Sequence, residues 1–125
     1  MNDEFQRLRL LVGDQGMTAL RQARVTVFGV GGVGSHATEA LARAAVGQLT
    51  LVDFDEVALS NINRQVEATH RTLGQPKAEV MAARIRDISP TCDVRAVSAR
   101  VTPENVGDFL EPEPDWVLDA IDDTD

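Results

Sequence analysis

Cysteine is nearly absent from this sequence: Cys92 is the one example among 125 residues. A lone thiol rules out an internal disulfide and any tetrahedral cysteine cluster within the segment. Because Cys92 falls between a helix stop and a strand, away from strand carboxyl ends, its expected role is structural. Long apolar runs are missing too, and no stretch approaches the roughly 20 residues that a bilayer-spanning helix needs. The opening MNDEFQRLRLL is charged and lacks the apolar core and cleavage site of a signal peptide. A cytoplasmic protein without a membrane partner is the expectation. Net positive charge is the third absence. With 20 Asp and Glu against 12 Lys and Arg, the formal charge is −8. That excludes a broad nonspecific grip on nucleic acid through a basic surface, while leaving room for a local specific patch. Repeats, low-complexity tracts and Pro/Gly/Ser-rich linkers are lacking as well, so residues 1–125 read as one domain.

What the sequence does contain is ordinary for a globular chain, with 43% hydrophobic and 26% charged residues, and a domain of this size buries about two thirds of its unfolded surface. Within it, Val25 to Ser35 reads VTVFGVGGVGS. An apolar, β-branched strand runs into a glycine-rich turn that opens a helix. In the G-x-G-x-x-G pattern at Gly29, Gly31 and Gly34, the first glycine makes the tight turn and the second lets the backbone approach phosphate. The third permits close packing of helix on strand. The free N–H groups and the positive end of the following helix then face an anion.

Elements can be read along the chain. A helical N-terminal segment, about Glu4 to Leu11 and then Met17 to Gln22, precedes a strand at Arg24 to Phe28. A helix follows from about Gly34 to Ala45, stopped by Gly47, and a second strand covers Gln48 to Asp53. A long polar loop leads to Pro76 at the first turn of a helix in which Ala78, Ala82, Ile85 and Ile88 keep helical spacing; Ser89-Pro90 ends it. A third strand is expected at Asp93 to Ser98, a short helix from Thr102-Pro103-Glu104, and a fourth strand at Trp116 to Ile121. Such alternation predicts a Rossmann-like α/β fold, a mainly parallel sheet with helices on both faces and right-handed crossovers. Ligands bind beyond the carboxyl ends of such strands. This gathers Gly29 to Gly34, Asp53 with Asp55, and Asp122 with Asp123 onto one edge.

The glycine pattern alone suggests a dinucleotide, with Asp53 as the acidic residue that grips a ribose. Arg64 and Lys77, however, bring two cations to a pocket that already has a helix dipole. A diphosphate has little need of them, whereas a triphosphate attacked at its α-phosphorus does, since Arg, Lys and Mg²⁺ stabilise the charge that develops on the transferring group. Asp122, a hard oxygen donor beside phosphates, fits a magnesium ligand and equally fits a turn-forming aspartate. A plain NAD-binding module remains the alternative that leaves Arg64, Lys77 and Asp122 without a task.

The motifs GVGGVGS, DFDEV, SNINRQ, GQPKAEV and DAIDD, in this order from Val25 to the last residue, resemble those of the ubiquitin-activating-type adenylating enzymes, the ThiF-like superfamily. The resemblance implies ATP and Mg²⁺ as ligands. It assigns Gly32 and Asp53 to the adenosine part, and Asn61, Arg64 and Lys77 to the phosphates; Gly29, Gly31, Gly34, Asp55 and Ser60 complete the nucleotide-binding set. Asp122 holds the metal on this reading. Arg7, in FQRLRLLVG, matches an N-terminal arginine that reaches the phosphates of a neighbouring subunit, which implies a homodimer. Within the superfamily, EALARAAVG, KAEVMAARIRDISPTC, VTPENV and LDAIDD are similar to the dehydratases that adenylate the threonylcarbamoyl carboxylate on a tRNA adenosine and close it to a ring with loss of AMP. Arg7, Arg64, Lys77 and Asp122 are the catalytic set this implies. Glu67 departs from the histidine common in that group, so no substrate role carries over to it. Activation of a small sulfur-carrier or ubiquitin-like protein at its C-terminal glycine uses the same nucleotide residues and stays open. The resemblance also implies that the nucleotide-binding part belongs to a longer fold.

Overall fold

Apolar side chains at every second position of RVTVF, QLTLV and DVRAV give one buried face to each of three short strands, β1 at Arg24–Phe28, β2 at Gln48–Val52 and β3 at Asp93–Val97. A fourth, β4, spans Trp116–Asp119. The computed structural model describes residues 3–121; Asp122 and Asp123 lie outside the described residues. All the strands pair in parallel in the order β3-β2-β1-β4. Each ends one or two residues earlier than the sequence suggests at β2, β3 and β4, because Asp53, Ser98 and Ala120 turn away to build the loops at the carboxyl edge.

Helix α1 covers Gln6–Gln22 and is broken at Gly13, where φ 76 and ψ 176 leave the helical region. The expectation of two helical pieces with a gap between them matches this break. Helix α2 runs Gly32–Arg43 and α3 runs Lys77–Ile88. Val25, Val27, Leu49, Leu51 and Val94 meet Ala42 of α2 and Ala78, Met81, Ala82 and Ile85 of α3 in one core cluster. Small alanines let both helices approach the sheet closely. Cys92 is buried in the same cluster, which answers its structural expectation.

The path β1 to β2 to β3 steps in one direction across the sheet, so right-handed crossovers put α2 and α3 together on one face. The chain then jumps back past β1 to β4, and the same rule carries that connection over the opposite face. There the helical content among the described residues is a short 3₁₀ helix at Val106–Leu110. It begins later than Thr102 because Thr102 and Asn105 first cap each other: Thr102 N–H donates to Asn105 Oδ1 at 2.7 Å, and Asn105 N–H to Thr102 Oγ1 at 3.3 Å. No helix among the described residues is long and apolar enough to cross a membrane.

Gly47 acts differently from a left-handed helix stop. The residue with positive φ after α2 is Ala45, at 66°. Gly47 is needed for space, since a Cβ there would sit 1.7 Å from the carbonyl oxygen of Arg21. The approach of α1 to the start of β2 depends on it.

Candidate nucleotide-binding site

The turn between β1 and α2 performs its three tasks with three separate glycines. Gly29 has φ 91, a conformation that side chains resist, and its N–H donates to the carbonyl of Val52 at 2.8 Å. Gly31 precedes the first turn of α2, and a Cβ placed there would meet only Gln65 Nε2, at 3.5 Å. The backbone at Gly31 is therefore open toward the cavity. Gly34 is inside α2, where a Cβ would fall 1.8 Å from the carbonyl oxygen of Gly29; helix and turn can touch only because it is glycine.

Asp53, directly after β2, ties this turn to the next loop. Its Oδ2 accepts the N–H of Val30 at 2.9 Å and its Oδ1 accepts the N–H of Asp55 at 2.8 Å. One carboxylate thus shapes both walls of the site, and each oxygen keeps a lone pair for a ligand. Asp55 in turn anchors the start of α3: its carbonyl accepts Lys77 N–H at 3.0 Å, and its carboxylate lies 3.9 Å from Lys77 Nζ. Lys77 is 6% exposed, so its ammonium is held at the cavity rather than in open solvent.

The polar loop folds into a 3₁₀ turn at Leu59–Asn61. Asn61 Oδ1 accepts Ala58 N–H at 2.8 Å, and Arg64 Nη1 donates to the Ser60 carbonyl at 2.9 Å and to Asn63 Oδ1 at 3.0 Å. His36 of α2 hydrogen-bonds the Arg64 carbonyl at 3.1 Å. These contacts park the Arg64 guanidinium at the rim, exposed and next to the glycine turn.

Together these residues enclose a cleft of about 390 Å³ at the carboxyl ends of the strands, of the size a nucleotide fills. Gly29, Gly31, Asp53, Asp55, Asn61, Arg64 and Lys77 all line it. Gly32 and Ser60 stand behind the wall, Gly32 under the Arg64 side chain and Ser60 through its carbonyl. Gly34 supports packing. Arg7 is exposed on α1 and does not line the cleft. Among the described residues no group of three or more His, Cys, Asp and Glu could hold a metal ion, and the one metal ligand expected, Asp122, lies outside them.

Sequence reading passed over the far end of the cleft. Phe54, Ala99, Arg100 and Val101 line it, with the Arg100 guanidinium 4.3 Å above the Phe54 ring. Gln65 was also passed over, although SNINRQ contains it. It is buried in the wall, with no hydrogen-bond partner for its Oε1 among the described residues. Glu67, two residues on, is 2% exposed, and neither of its carboxylate oxygens has a hydrogen-bond partner among the described residues. Burial, with a smaller push from Asp53, raises its carboxyl to about 7 against the pull of its own backbone N–H and then of Lys77 and Arg84. The Cys92 thiol is pushed up to about 11, by burial first and then by Asp93, so it is a poor nucleophile.

A parallel sheet whose first strand passes through a three-glycine turn into a helix, with a lysine, an arginine and an aspartate lining the same cleft as that turn, defines a Rossmann-like α/β domain. The chain belongs to the ThiF family, whose model matches residues 5–125. It is 47% identical over 122 residues to the tRNA threonylcarbamoyladenosine dehydratase of Bacillus subtilis (strain 168), a match covering 98% of this chain and 48% of that protein. The sulfur carrier protein adenylyltransferase of Thermus thermophilus is 38% identical over 122 residues, covering 96% of this chain and 45% of the relative. Among solved structures, the E. coli tRNA N6-threonylcarbamoyladenosine dehydratase in complex with ATP superposes with a TM-score of 0.93 at 44% identity, over 96% of this chain and 49% of that one. The chain spans about half the length of the curated relatives it matches.

Proposed function

We propose that this chain is the nucleotide-binding part of a cytoplasmic enzyme that uses ATP to adenylate the threonylcarbamoyl carboxylate on a tRNA adenosine, then closes it to a ring. The observation that carries the nucleotide reading is that Lys77 and Arg64 line one cleft with Gly29 and Gly31 of the glycine turn. The substrate reading is supported by the dehydratase relative, 47% identical over 122 residues, where adenylyltransferase relatives reach 38% over 122 residues or 47% over 87 residues.

The chemistry follows from what the carboxylate lacks. It is a poor electrophile, so its oxygen first attacks the α-phosphorus of ATP, and the bond to the β-phosphate oxygen breaks with departure of pyrophosphate. The acyl-adenylate then loses AMP as an internal nucleophile of the same threonylcarbamoyl group forms the ring and gives up its proton. One difficult dehydration becomes two displacements. Backbone N–H groups at Gly31 and the start of α2 face the phosphates, and Gly32 is assigned to the adenosine part. Lys77 and Arg64 neutralise charge on the transferring group and on pyrophosphate. Asp53 keeps the turn and the β2 loop in register and offers its remaining lone pairs to a ribose. A magnesium ion would accompany the triphosphate, with Asp122 assigned to it on sequence grounds. Arg7, exposed on α1, is read as serving the phosphates of a second copy, and the enzyme as a homodimer.

Lys77→Ala in the complete protein should abolish AMP formation from ATP and threonylcarbamoyl-tRNA; unchanged AMP release would sink the assignment. The Thermus thermophilus relative supports a second reading, activation of a carrier protein's C-terminal glycine. Supplying tRNA and carrier protein in turn, and following AMP, separates the two.

A further inference from the structure

A carboxyl group buried without any hydrogen bond has a high cost in its ionised form, and a folded domain seldom keeps one without a use. Glu67 is close to such a group: 2% exposed, with no other residue among those described hydrogen-bonded to Oε1 or Oε2, and only its own backbone N–H acting on the carboxylate. Its place in the fold is specific. Gln65, two residues before it, lines the nucleotide cleft, while Glu67 itself lines a second cavity of about 320 Å³ on the other side of the same loop. Helix α3 borders both cavities, supplying Lys77 to the first and Arg84 to the second. The charged groups acting on Glu67 are Lys77 and Arg84 from α3 and Asp53 from the end of β2, while Glu79 and Asp87 of α3 share the wall of its cavity. Arg84 is already paired with Glu39. Two of the three, Lys77 and Asp53, are walls of the nucleotide cleft.

We propose that Glu67 is a positioning residue acting through Lys77: by gaining or losing a proton behind the cleft, it sets how strongly the Lys77 ammonium attracts a nucleoside triphosphate. The inference rests on the nucleotide reading above. When protonated, Glu67 is neutral and adds nothing to the negative charge that Asp55, 3.9 Å from the ammonium, already sets against Lys77 at the mouth. When ionised, it places a second negative charge behind Lys77, which both competes for the ammonium and repels the incoming phosphates. A bound triphosphate makes the ionised carboxylate still less favourable, so by linkage binding draws a proton onto Glu67. Affinity must then fall as pH rises through the range where the free protein loses this proton. Burial places that range near neutrality, since the carboxyl stands at about 7.

The test is calorimetric titration with ATP in excess magnesium, in the complete protein and in Glu67→Gln, between about pH 6.5 and 8.5, where magnesium-bound ATP itself does not titrate. The unsubstituted protein is expected to lose affinity about 3- to 10-fold across that range and to take up protons on binding, read from heats in buffers of different ionisation enthalpy. Glu67→Gln should show a flat profile and no uptake at this step. Equal profiles in the two proteins, or uptake that persists in the variant, would overturn the proposal while leaving the nucleotide site standing. Proton-free binding by the unsubstituted protein overturns it without any substitution, should the variant fail to fold. Absence of ATP binding at every pH overturns the nucleotide reading as well.

Discussion

Asp53 holds two backbone N–H groups, those of Val30 and Asp55, from two different loops, and is thereby a structural residue before it is a ligand. Asp53→Ala should cost about 1–3 kcal/mol of stability, because both donors lose a charged acceptor. It should also weaken ATP binding through a loosened glycine turn, and a denaturant melt together with a binding titration reads both effects. Glu67 makes a pH-dependent prediction at the same scale. Folded, it keeps its proton up to about 7, whereas unfolded it releases it near the ordinary value of 4.5. Between those values the native state binds more protons than the unfolded one, so stability falls as pH rises through the window and stays low above it. Glu67→Gln should flatten that fall and stabilise the protein above pH 7 by about 1–3 kcal/mol, with little effect below pH 4.5. Melting temperatures of both proteins at acid and alkaline pH check the sign. For Cys92, buried with its thiol near 11, alkylation at pH 8 should proceed only on unfolding, which mass spectrometry with and without denaturant detects.

At the scale of the element, the β1 to α2 turn is held by close backbone approaches at Gly29 and Gly34. Gly34→Ala would drive a methyl to within 1.8 Å of the Gly29 carbonyl, and neither backbone segment can move without opening the cleft. The expected outcome is a loss of more than about 2 kcal/mol and of ATP binding, read by thermal melting and titration; a variant as stable as its parent would mean that α2 does not pack on the turn as described. This element was legible in the sequence because its constraints are local: the strand, the turn and the helix start are adjacent residues with distinctive types. The ends of α2 were less legible. Ala45 takes the left-handed conformation at φ 66 and Gly47 serves the approach of Arg21, a long-range contact that no local pattern announces. The short 3₁₀ helix likewise starts at Val106 rather than Thr102, since reciprocal capping by Asn105 consumes the first turn. Lys77 and Arg64 were read from residue type and loop position, and Asn61 from the family resemblance. Gln65, Glu67, Arg100 and Phe54 were not, because their significance lies in burial or in a contact across the cleft. Gln65 and Glu67 matter for what surrounds them, and nothing in a one-dimensional pattern records an unpartnered oxygen.

Taken whole, the molecule brings the loops after β1, β2, β3 and β4 to one edge of a parallel sheet, and this topology gathers motifs far apart in the chain into one cleft. The other end of the sheet is built differently: Trp116, at the start of β4 beside Val25, is 70% exposed and remote from the cleft, in keeping with a sheet-edge residue rather than a platform for a base. The formal charge of −8 leaves Lys77 and Arg64 as local cations in an acidic protein, a pattern suited to one small anionic ligand and unsuited to an extended polyanion contact across this whole surface. Ligand choice is therefore the most direct question to put to the fold. Calorimetric titration of the protein with magnesium-ATP and with NAD, repeated on Lys77→Ala, answers it. The account predicts ATP binding that NAD does not displace and that Lys77→Ala weakens by about 2–4 kcal/mol, roughly 30- to 1,000-fold. Tight NAD binding without ATP binding, or ATP affinity unchanged in Lys77→Ala, would contradict it.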